Sequence, residues 1–394
     1  MSRRTAVVAG LAGLSLLAAA CGSTSGVESG GSESSTQAAL GQDQICGKGG
    51  AEAKPGYAND IPELAGGKKR VSGAGSTFVA PMMSVWTKDY SESAKVQVAY
   101  QSIGSGGGVK QISEGTVDFG ASDTPMKTDE EAGAKHGKIL HVPLVLGGVV
   151  PTYNVAGQKS GLKFTGEVLG KIFTGEIAKW NDPALTKLNP DAKLPDQPIA
   201  VVHRSDGSGT TAVWTDYLTK SSPSWVEKLG GEEQSFGKEV AWPTGIGGKG
   251  NEGVSGAVNQ TDGSIGYVEL TYALAQNLAY GLVKNKAGKF IQPCVETVSA
   301  ATKDVEFPDH LKVSLTDEPG KDAYPITGTV YALVYQDQTD KAAAAALVNF
   351  LAWVLSDGQD DATQINYSPM GKDLRDKAVA QVKRMTLNGQ PLAT

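Results

Sequence analysis

The sequence has few histidines, few cysteines and no excess of positive charge. Its 394 residues include only 4 His and 3 Cys, and the formal net charge is −6. Nucleic-acid binding usually needs a basic stripe, and none is visible, so no nucleic-acid partner is expected. His136, His141, His203 and His310 show no metal-ligand spacing, so neither a metal nor a cofactor is expected. There is no internal repeat and no interior run long enough to suggest a membrane span.

The N-terminus has the pattern of an export signal. Two arginines precede an apolar run, Ala6 to Ala20, that is too short for a comfortable membrane span. Cys21 then follows three alanines, as in a lipobox, where the thiol is acylated. An ordinary signal peptide cleaved nearby is the alternative, because Ala18 stands where lipoboxes usually carry leucine. We expect residues 1–20 to be a signal peptide and Cys21 to be palmitoylated, which anchors the protein by lipid on the outer face of the cytoplasmic membrane.

Residues 21–67 are rich in Gly, Ser and Glu and have scarcely any apolar periodicity. That composition predicts a flexible tether. Export makes disulfides permissible, and Cys46 and Cys294 are the pair that remains once Cys21 is acylated. A bridge between them is favoured over two free thiols, and it would fasten the N-terminal segment to the body of the protein.

From Lys69 onward strands and helices alternate, in a chain long enough for two domains. Periodicity predicts strands at Arg70–Ala74, Val96–Tyr100, Val117–Ser122, Ile199–His203, Ile265–Val268 and Thr329–Val334. It predicts helices at Val79–Tyr90, Val109–Glu114, Glu167–Phe173, Thr210–Thr219 and Asp340–Leu355. The alternation predicts an α/β fold with mainly parallel sheets covered by helices. The apolar stretch Ile139–Asn154 is long enough to leave one sheet and enter another.

Four short segments rich in glycine and hydroxyl residues stand out: Gly73–Phe78, Gly104–Gly108, Ala121–Pro125 and Arg204–Thr210. The first, second and fourth lie at predicted strand-to-helix turns. A helix N-terminus offers unpaired N–H groups and a positive dipole end, glycine allows close approach, and hydroxyls add donors. Each segment alone is explained by turns and helix caps. Together they predict a site for a small tetrahedral anion.

Two charged residues refine this prediction. Arg204 lies two residues before Asp206, which could hold the guanidinium side-on while its fork faces an oxyanion; a solvated surface arginine is the alternative. Asp123 ought to repel an anion, unless it merely caps a helix before Pro125. Phosphate near neutral pH still carries a proton that it can donate to a carboxylate, whereas sulfate carries none and would leave two negative acceptors facing each other. The hypothesis is therefore discrimination by protonation.

In these segments the sequence resembles the substrate-binding proteins of phosphate-specific (Pst) ABC importers, which have a periplasmic-binding-protein type II fold. The matching stretches, in the same order, are Gly73–Phe78, Ile103–Gly108, Val117–Pro125, Gly147–Val150, Asp206–Thr210, Gly247–Gly253 and Gly266–Glu269. The resemblance implies two α/β lobes, each a mixed, mostly parallel sheet flanked by helices, with the ligand in the cleft between them. It puts lobe 1 at residues 68–150 plus 327–394 and lobe 2 at residues 151–326, with crossovers near Val150–Asn154 and Tyr324–Thr327.

The resemblance also implies a ligand set for inorganic phosphate. The implied ligands are Thr77, Phe78, Ser105, Ser122, Asp123, Arg204, Ser208, Gly209 and Thr210, supported by Ser76 and Asp206, with no role for His203. We expect a monomeric phosphate receptor that delivers its ligand to the permease subunits of an importer and performs no catalysis. The alternatives are a receptor for another oxyanion, a phosphate sensor or adhesin, and an exported enzyme acting on phosphate esters. The enzyme is disfavoured because Gly207–Gly209 lacks the Gly-x-Ser-x-Gly elbow.

Overall fold

The computed structural model of the protein describes Cys46 and residues 54–392. The predicted signal peptide, the acylated Cys21 and residues 22–45 and 47–53 of the predicted tether lie outside the described residues. Within the part that is described, no helix is both long enough and apolar enough to cross a membrane.

Strands and helices alternate through the described chain. The strands, β1 to β16, are Arg70–Gly75, Gln97–Ser102, Phe119–Ser122, Ile139–Asn154, Lys163–Phe164, Ala200–Arg204, Ile246–Gly248, Ser264–Glu269, Ala279–Tyr280, Leu282–Lys284, Phe290–Ile291, Leu315–Thr316, Ile326–Tyr335, Asp337–Gln338, Thr386–Leu387 and Gln390–Pro391. The helices, α1 to α14, are Ala80–Ala94, Ser105–Glu114, Thr128–Ala132, Gly166–Phe173, Pro183–Leu188, Gly209–Ser221, Pro223–Leu229, Glu232–Ser235, Gly250–Gln260, Leu270–Ala275, Val295–Ala300, Lys341–Val354, Asp357–Ala362 and Lys372–Lys383. A 3-10 turn, Thr363–Ile365, follows α13.

The largest sheet runs in the order β2-β1-β3-β13-β4-β8-β6-β7. Strands β1, β2 and β3 pair in parallel, as do β6, β7 and β8, whereas β13 and β4 are antiparallel to their neighbours. The predicted α/β class with a mixed sheet is confirmed. Strand β4 changes partner along its length: Ile139–Gly148 lies against β13, and Val149–Asn154 lies against β8. It therefore links two halves of the sheet, as its length and apolar composition predicted.

The link between the halves is fully buried. Every residue of β4 except Asn154 is buried, and so is all of β13. Strands covered on both faces are expected to be continuously apolar, which is why neither sequence shows an alternating pattern. The alanine-rich helix α12 packs near β1, and Asp340 caps it by accepting hydrogen bonds from the N–H groups of Ala342 and Ala343.

The described end of the predicted tether is packed rather than free. Ile61 is buried, and Leu64 exchanges two hydrogen bonds with the side chain of Asn349 on α12. Asp60 forms an ion pair with the buried Arg375 of α14. The prediction of a flexible tether is therefore wrong for residues 54–67, because a few specific contacts outweigh a polar composition. The predicted bridge between Cys46 and Cys294 is confirmed, with the two Cα atoms 5.9 Å apart.

Candidate anion-binding site

The glycine-rich turns converge at the carboxyl ends of the strands. The turns after β1, β2 and β3 lie together because these strands are parallel neighbours, and their carboxyl ends share one edge of the sheet. The turn after β6 reaches them from the other half of the sheet. Gly106 N–H donates to Gly207 O at 2.9 Å, which joins the two sides directly.

Asp123 is buried where these turns meet. It is 3 % exposed, and its carboxylate accepts hydrogen bonds from Ser76 Oγ, from Ser105 Oγ at 3.4 Å and from Thr210 Oγ1 at 3.5 Å. Burial raises the pKa of Asp123 to about 6, against the opposing effect of those hydroxyls and of Arg204. Near neutral pH the carboxyl is therefore largely ionised and can accept a further proton.

Arg204 supplies a buried positive charge beside this carboxylate. The Asp206 carboxylate holds its guanidinium side-on, with Nε to Oδ1 at 2.8 Å and Nη2 to Oδ2 at 2.5 Å. The third nitrogen, Nη1, donates to Thr210 Oγ1 at 3.5 Å. Asp206 is fixed in turn by the N–H of Gly250 at 3.0 Å. Although burial opposes it, the bonds from Arg204 lower the pKa of Asp206, so this ion pair stays charged.

Backbone N–H groups complete the donor set. None of the hydrogen bonds among the described residues uses the N–H of Thr77, Phe78, Gly209 or Thr210. Gly209 and Thr210 begin α6, whose N-cap Ser208 accepts a hydrogen bond from Thr211 N–H at 3.0 Å. These N–H groups lie at the positive end of the helix dipole, where an anion is stabilised.

Gly209 is required by the close approach of the two sides. A Cβ atom at this position would lie 2.5 Å from both Asp123 Oδ2 and Ser105 Oγ. Both atoms belong to buried side chains that cannot withdraw without breaking their hydrogen bonds. The glycine therefore allows the first turn of α6 to reach the carboxylate.

Two residues of the predicted set, Ser122 and Phe78, have side chains engaged elsewhere. Ser122 Oγ donates to Thr124 O at 2.6 Å, so its hydroxyl is committed within its own turn. The Phe78 ring is buried in the core, which leaves its N–H as the group that can face the turn. His203, to which no ligand role was given, stacks on Trp242 with ring centroids 4.9 Å apart.

Asn251 was missed by residue-level reasoning. It is the second residue of α9, and its side-chain amide donates to Thr77 Oγ1 at 2.8 Å and to Thr210 Oγ1 at 3.1 Å. It therefore ties the turn after β1 to the start of α6. The signal was present, since Gly247–Gly253 is another glycine-rich strand-to-helix turn, but its one amide carries no charge to single it out.

Glu269 is a second buried residue that residue-level reasoning missed, although it ends the matching stretch Gly266–Glu269. It is 0 % exposed; Oε2 accepts from Thr271 N–H at 2.8 Å and lies 3.1 Å from Tyr367 Oη, while Oε1 has no hydrogen-bond partner among the described residues. Tyr367 Oη donates to Phe78 O at 2.5 Å as well, so its one hydroxyl proton serves two acceptors. Burial raises the pKa of Glu269 to about 8, which favours a neutral carboxyl.

Comparisons with known proteins place these features in context. The PBP superfamily domain matches residues 32–358. Over 316 residues the chain is 44 % identical to the phosphate-binding protein PstS of Pasteurella multocida (strain Pm70), covering 79 % of this chain and 90 % of that protein. It is 42 % identical over 308 residues to the PstS of Xylella fastidiosa (strain Temecula1), covering 77 % and 82 %. The phosphate-binding protein of Stenotrophomonas maltophilia has a similar crystal structure, with a TM-score of 0.59, 19 % identity, and coverage of 79 % and 93 %; that likeness concerns the fold.

Proposed function

This chain belongs to the PBP superfamily and, within it, to the PstS phosphate-binding proteins, and from that premise we propose that it is an extracytoplasmic, high-affinity receptor delivering inorganic phosphate to an ABC importer. The observation that carries the proposal is a buried carboxylate, Asp123, among the donors of an anion site. A site for a fully deprotonated anion has no use for such an acceptor. An anion that carries a proton does.

Phosphate would be held by a division of tasks. Arg204 supplies the charge, and the N–H groups of Thr77, Phe78, Gly209 and Thr210 surround the oxygens. Asp123 accepts the phosphate proton. Because the donors within each lobe are fixed by the fold before binding, little entropy is lost in ordering them. Selection and release suffice for this role, so we propose that the protein is not an enzyme.

Closure of two lobes would bury the ligand. We propose that residues 68–150 with 327–394 form one lobe, residues 151–326 form the other, and β4 and the chain near Tyr324–Thr327 cross between them. Contacts across the boundary support a closed arrangement: Lys238 pairs with Glu130 at 2.8 Å, and Asn251 bonds to Thr77. The permease would recognise the closed shape.

Calorimetric titration of the full-length protein tests the ligand. We expect tight binding of phosphate and at least 100-fold weaker binding of sulfate at pH 8, because sulfate brings no proton to Asp123. Equal affinity for the two anions would refute discrimination by protonation. A phosphate ester such as p-nitrophenyl phosphate tests the enzyme alternative as a substrate. Turnover of the ester above background would favour a hydrolytic enzyme.

We further propose that Cys21 is acylated and anchors the protein to the outer face of the cytoplasmic membrane, where it acts as a monomer. The support is the apolar run ending in three alanines before Cys21. Metabolic labelling with radioactive palmitate should mark the wild-type protein and not a Cys21→Ala variant. Label that persists in the variant, or wild-type protein released unlabelled into the medium, would establish the ordinary signal peptide in its place.

A further inference from the structure

Three tyrosine hydroxyls donate to three consecutive carbonyl groups in the turn after β1. Tyr100 Oη donates to Ser76 O at 2.7 Å, Tyr272 Oη to Thr77 O at 2.6 Å and Tyr367 Oη to Phe78 O at 2.5 Å. The tyrosines come from β2, from α10 and from the chain after the 3-10 turn, so residues far apart in sequence converge on one short turn.

Each carbonyl shares a planar peptide group with the N–H of the following residue. The carbonyl of Ser76 and the N–H of Thr77 point in opposite directions from one rigid unit, as do the carbonyl of Thr77 and the N–H of Phe78. A hydroxyl bound to the carbonyl therefore fixes the direction of the N–H behind it. It also polarises the peptide, because linked hydrogen bonds strengthen one another in a low-dielectric interior.

The two N–H groups whose direction is fixed by Tyr100 and Tyr272 are also the ones available to the anion. The N–H groups of Thr77 and Phe78 donate to no acceptor among the described residues, although both residues are buried. Building on the proposed function, we propose that Tyr100 and Tyr272 are positioning residues for phosphate: through the peptides of the turn after β1 they aim and polarise the Thr77 and Phe78 N–H groups.

The hydroxyls are well suited to remain donors. Burial raises the pKa of Tyr100, with the Asp123 charge adding to the effect, and burial likewise raises the pKa of Tyr272. Both phenols therefore stay protonated at any pH at which the protein works. Tyr272 belongs to the proposed second lobe, whereas Thr77 belongs to the first. Tyr272 therefore acts across the proposed lobe boundary, on the peptide group that carries the Phe78 N–H.

Tyr367 provides a matched control within the same turn. It makes the same kind of bond to Phe78 O, but the N–H of that peptide belongs to Val79, and it already donates to Ser76 Oγ at 3.4 Å. Removing the Tyr367 hydroxyl deletes a buried hydroxyl–carbonyl bond without touching an anion donor. A general loss of packing would affect all three tyrosine positions alike.

The test compares Tyr100→Phe, Tyr272→Phe and Tyr367→Phe in the full-length protein by calorimetry with inorganic phosphate. The first two variants should each weaken phosphate binding about threefold to tenfold, and their combination should approach the product. Tyr367→Phe should keep wild-type affinity within about twofold. Thermal unfolding without phosphate separates stability from binding. Tyr100→Phe and Tyr272→Phe each lose one buried bond, and Tyr367→Phe also loses the bond to Glu269, so the control variant should be destabilised at least as much as the other two.

Amide NMR of the phosphate-bound protein gives the readout that packing alone would not move. The Thr77 amide proton should shift upfield in Tyr100→Phe with little change at Phe78, and the pattern should reverse in Tyr272→Phe. Wild-type affinity in both variants, or an equal loss in all three, would overturn the proposal. If the wild-type protein does not bind phosphate, the proposed function fails instead, so the two failures are distinguishable.

Discussion

Replacing Asp123 by asparagine is expected to remove most of the discrimination between phosphate and sulfate. In the wild type a buried carboxylate faces the anion, and an uncompensated buried charge costs about 3–5 kcal/mol, or roughly 100-fold to 4,000-fold in affinity. An asparagine can turn its amide N–H toward sulfate, so that cost disappears. Titration of both anions at pH 8 should show the phosphate-to-sulfate affinity ratio falling by about 100-fold.

The matched control is Asp118→Asn. Asp118 accepts hydrogen bonds from Ser72 N–H and Oγ, both at 2.7 Å, at the opposite end of β3 from Asp123, so its substitution should leave the ratio unchanged. An Asp123→Asn protein that binds calorimetric amounts of phosphate and still rejects sulfate as strongly as the wild type would contradict the role given to this carboxylate.

The pH dependence of sulfate binding follows from the same residue. Burial raises the pKa of Asp123 to about 6, so the protonated acid, which can donate to sulfate, is abundant below pH 6 and scarce above it. Wild-type sulfate affinity should therefore fall about tenfold per unit as pH rises above 6 and level off below 6. The Asp123→Asn variant should show no such slope, and a slope in both proteins would locate the titrating group elsewhere.

Arg204→Gln should reduce phosphate affinity by about 30-fold or more. Arg204 is 3 % exposed and pairs with Asp206, so its removal deletes the cation and leaves a partly buried carboxylate beside an incoming anion. Truncating one member of such a pair costs about 2–5 kcal/mol. Arg204→Lys should lie between, because lysine keeps the charge but cannot reproduce the two parallel bonds to Asp206. Calorimetric titration with phosphate measures the affinities of the wild type, Arg204→Gln and Arg204→Lys.

Arg375→Gln is the control for the loss of a buried arginine. Its guanidinium is also buried, but it pairs with Asp60 and donates to Leu355 O at 2.9 Å, outside the site. This variant should lose thermal stability and keep phosphate affinity. Unchanged affinity in a folded Arg204→Gln protein would show that backbone dipoles alone hold the anion.

Local pattern predicted most of the secondary structure. The predicted helix Val79–Tyr90 corresponds to α1, Ala80–Ala94, and the predicted extended stretch Ile139–Asn154 coincides with β4. Side-chain periodicity is a property of neighbouring residues, so it survives without knowledge of the fold. Residues 54–67 escaped prediction because Ile61 and Leu64 are isolated apolar residues in a polar segment, and only their distant partners decide that they pack.

Part of the site could also be predicted from the sequence, because glycine, hydroxyl and N-cap signals mark helix starts locally. Thr77, Ser105, Asp123, Arg204 and Thr210 could each be proposed in that way, and the resemblance to a known family placed them in one cleft. Asn251, Glu269 and the three tyrosines could not. Each acts on a group far away in sequence, and a buried tyrosine or glutamate looks in sequence like any other.

The sequence by itself determined the kinds of hydrogen-bond donor and the strand-to-helix turns that carry them. It also determined that the site combines a cation, Arg204, with a carboxylate, Asp123, that can accept a proton from the ligand. The tertiary structure decided what those groups face. A hydrogen bond is lost within a fraction of an ångström, so the direction of each N–H matters as much as its presence. That direction is set by contacts across the sheet: Gly209 against Asp123, Asn251 on Thr77, and tyrosine hydroxyls behind the peptides of one turn.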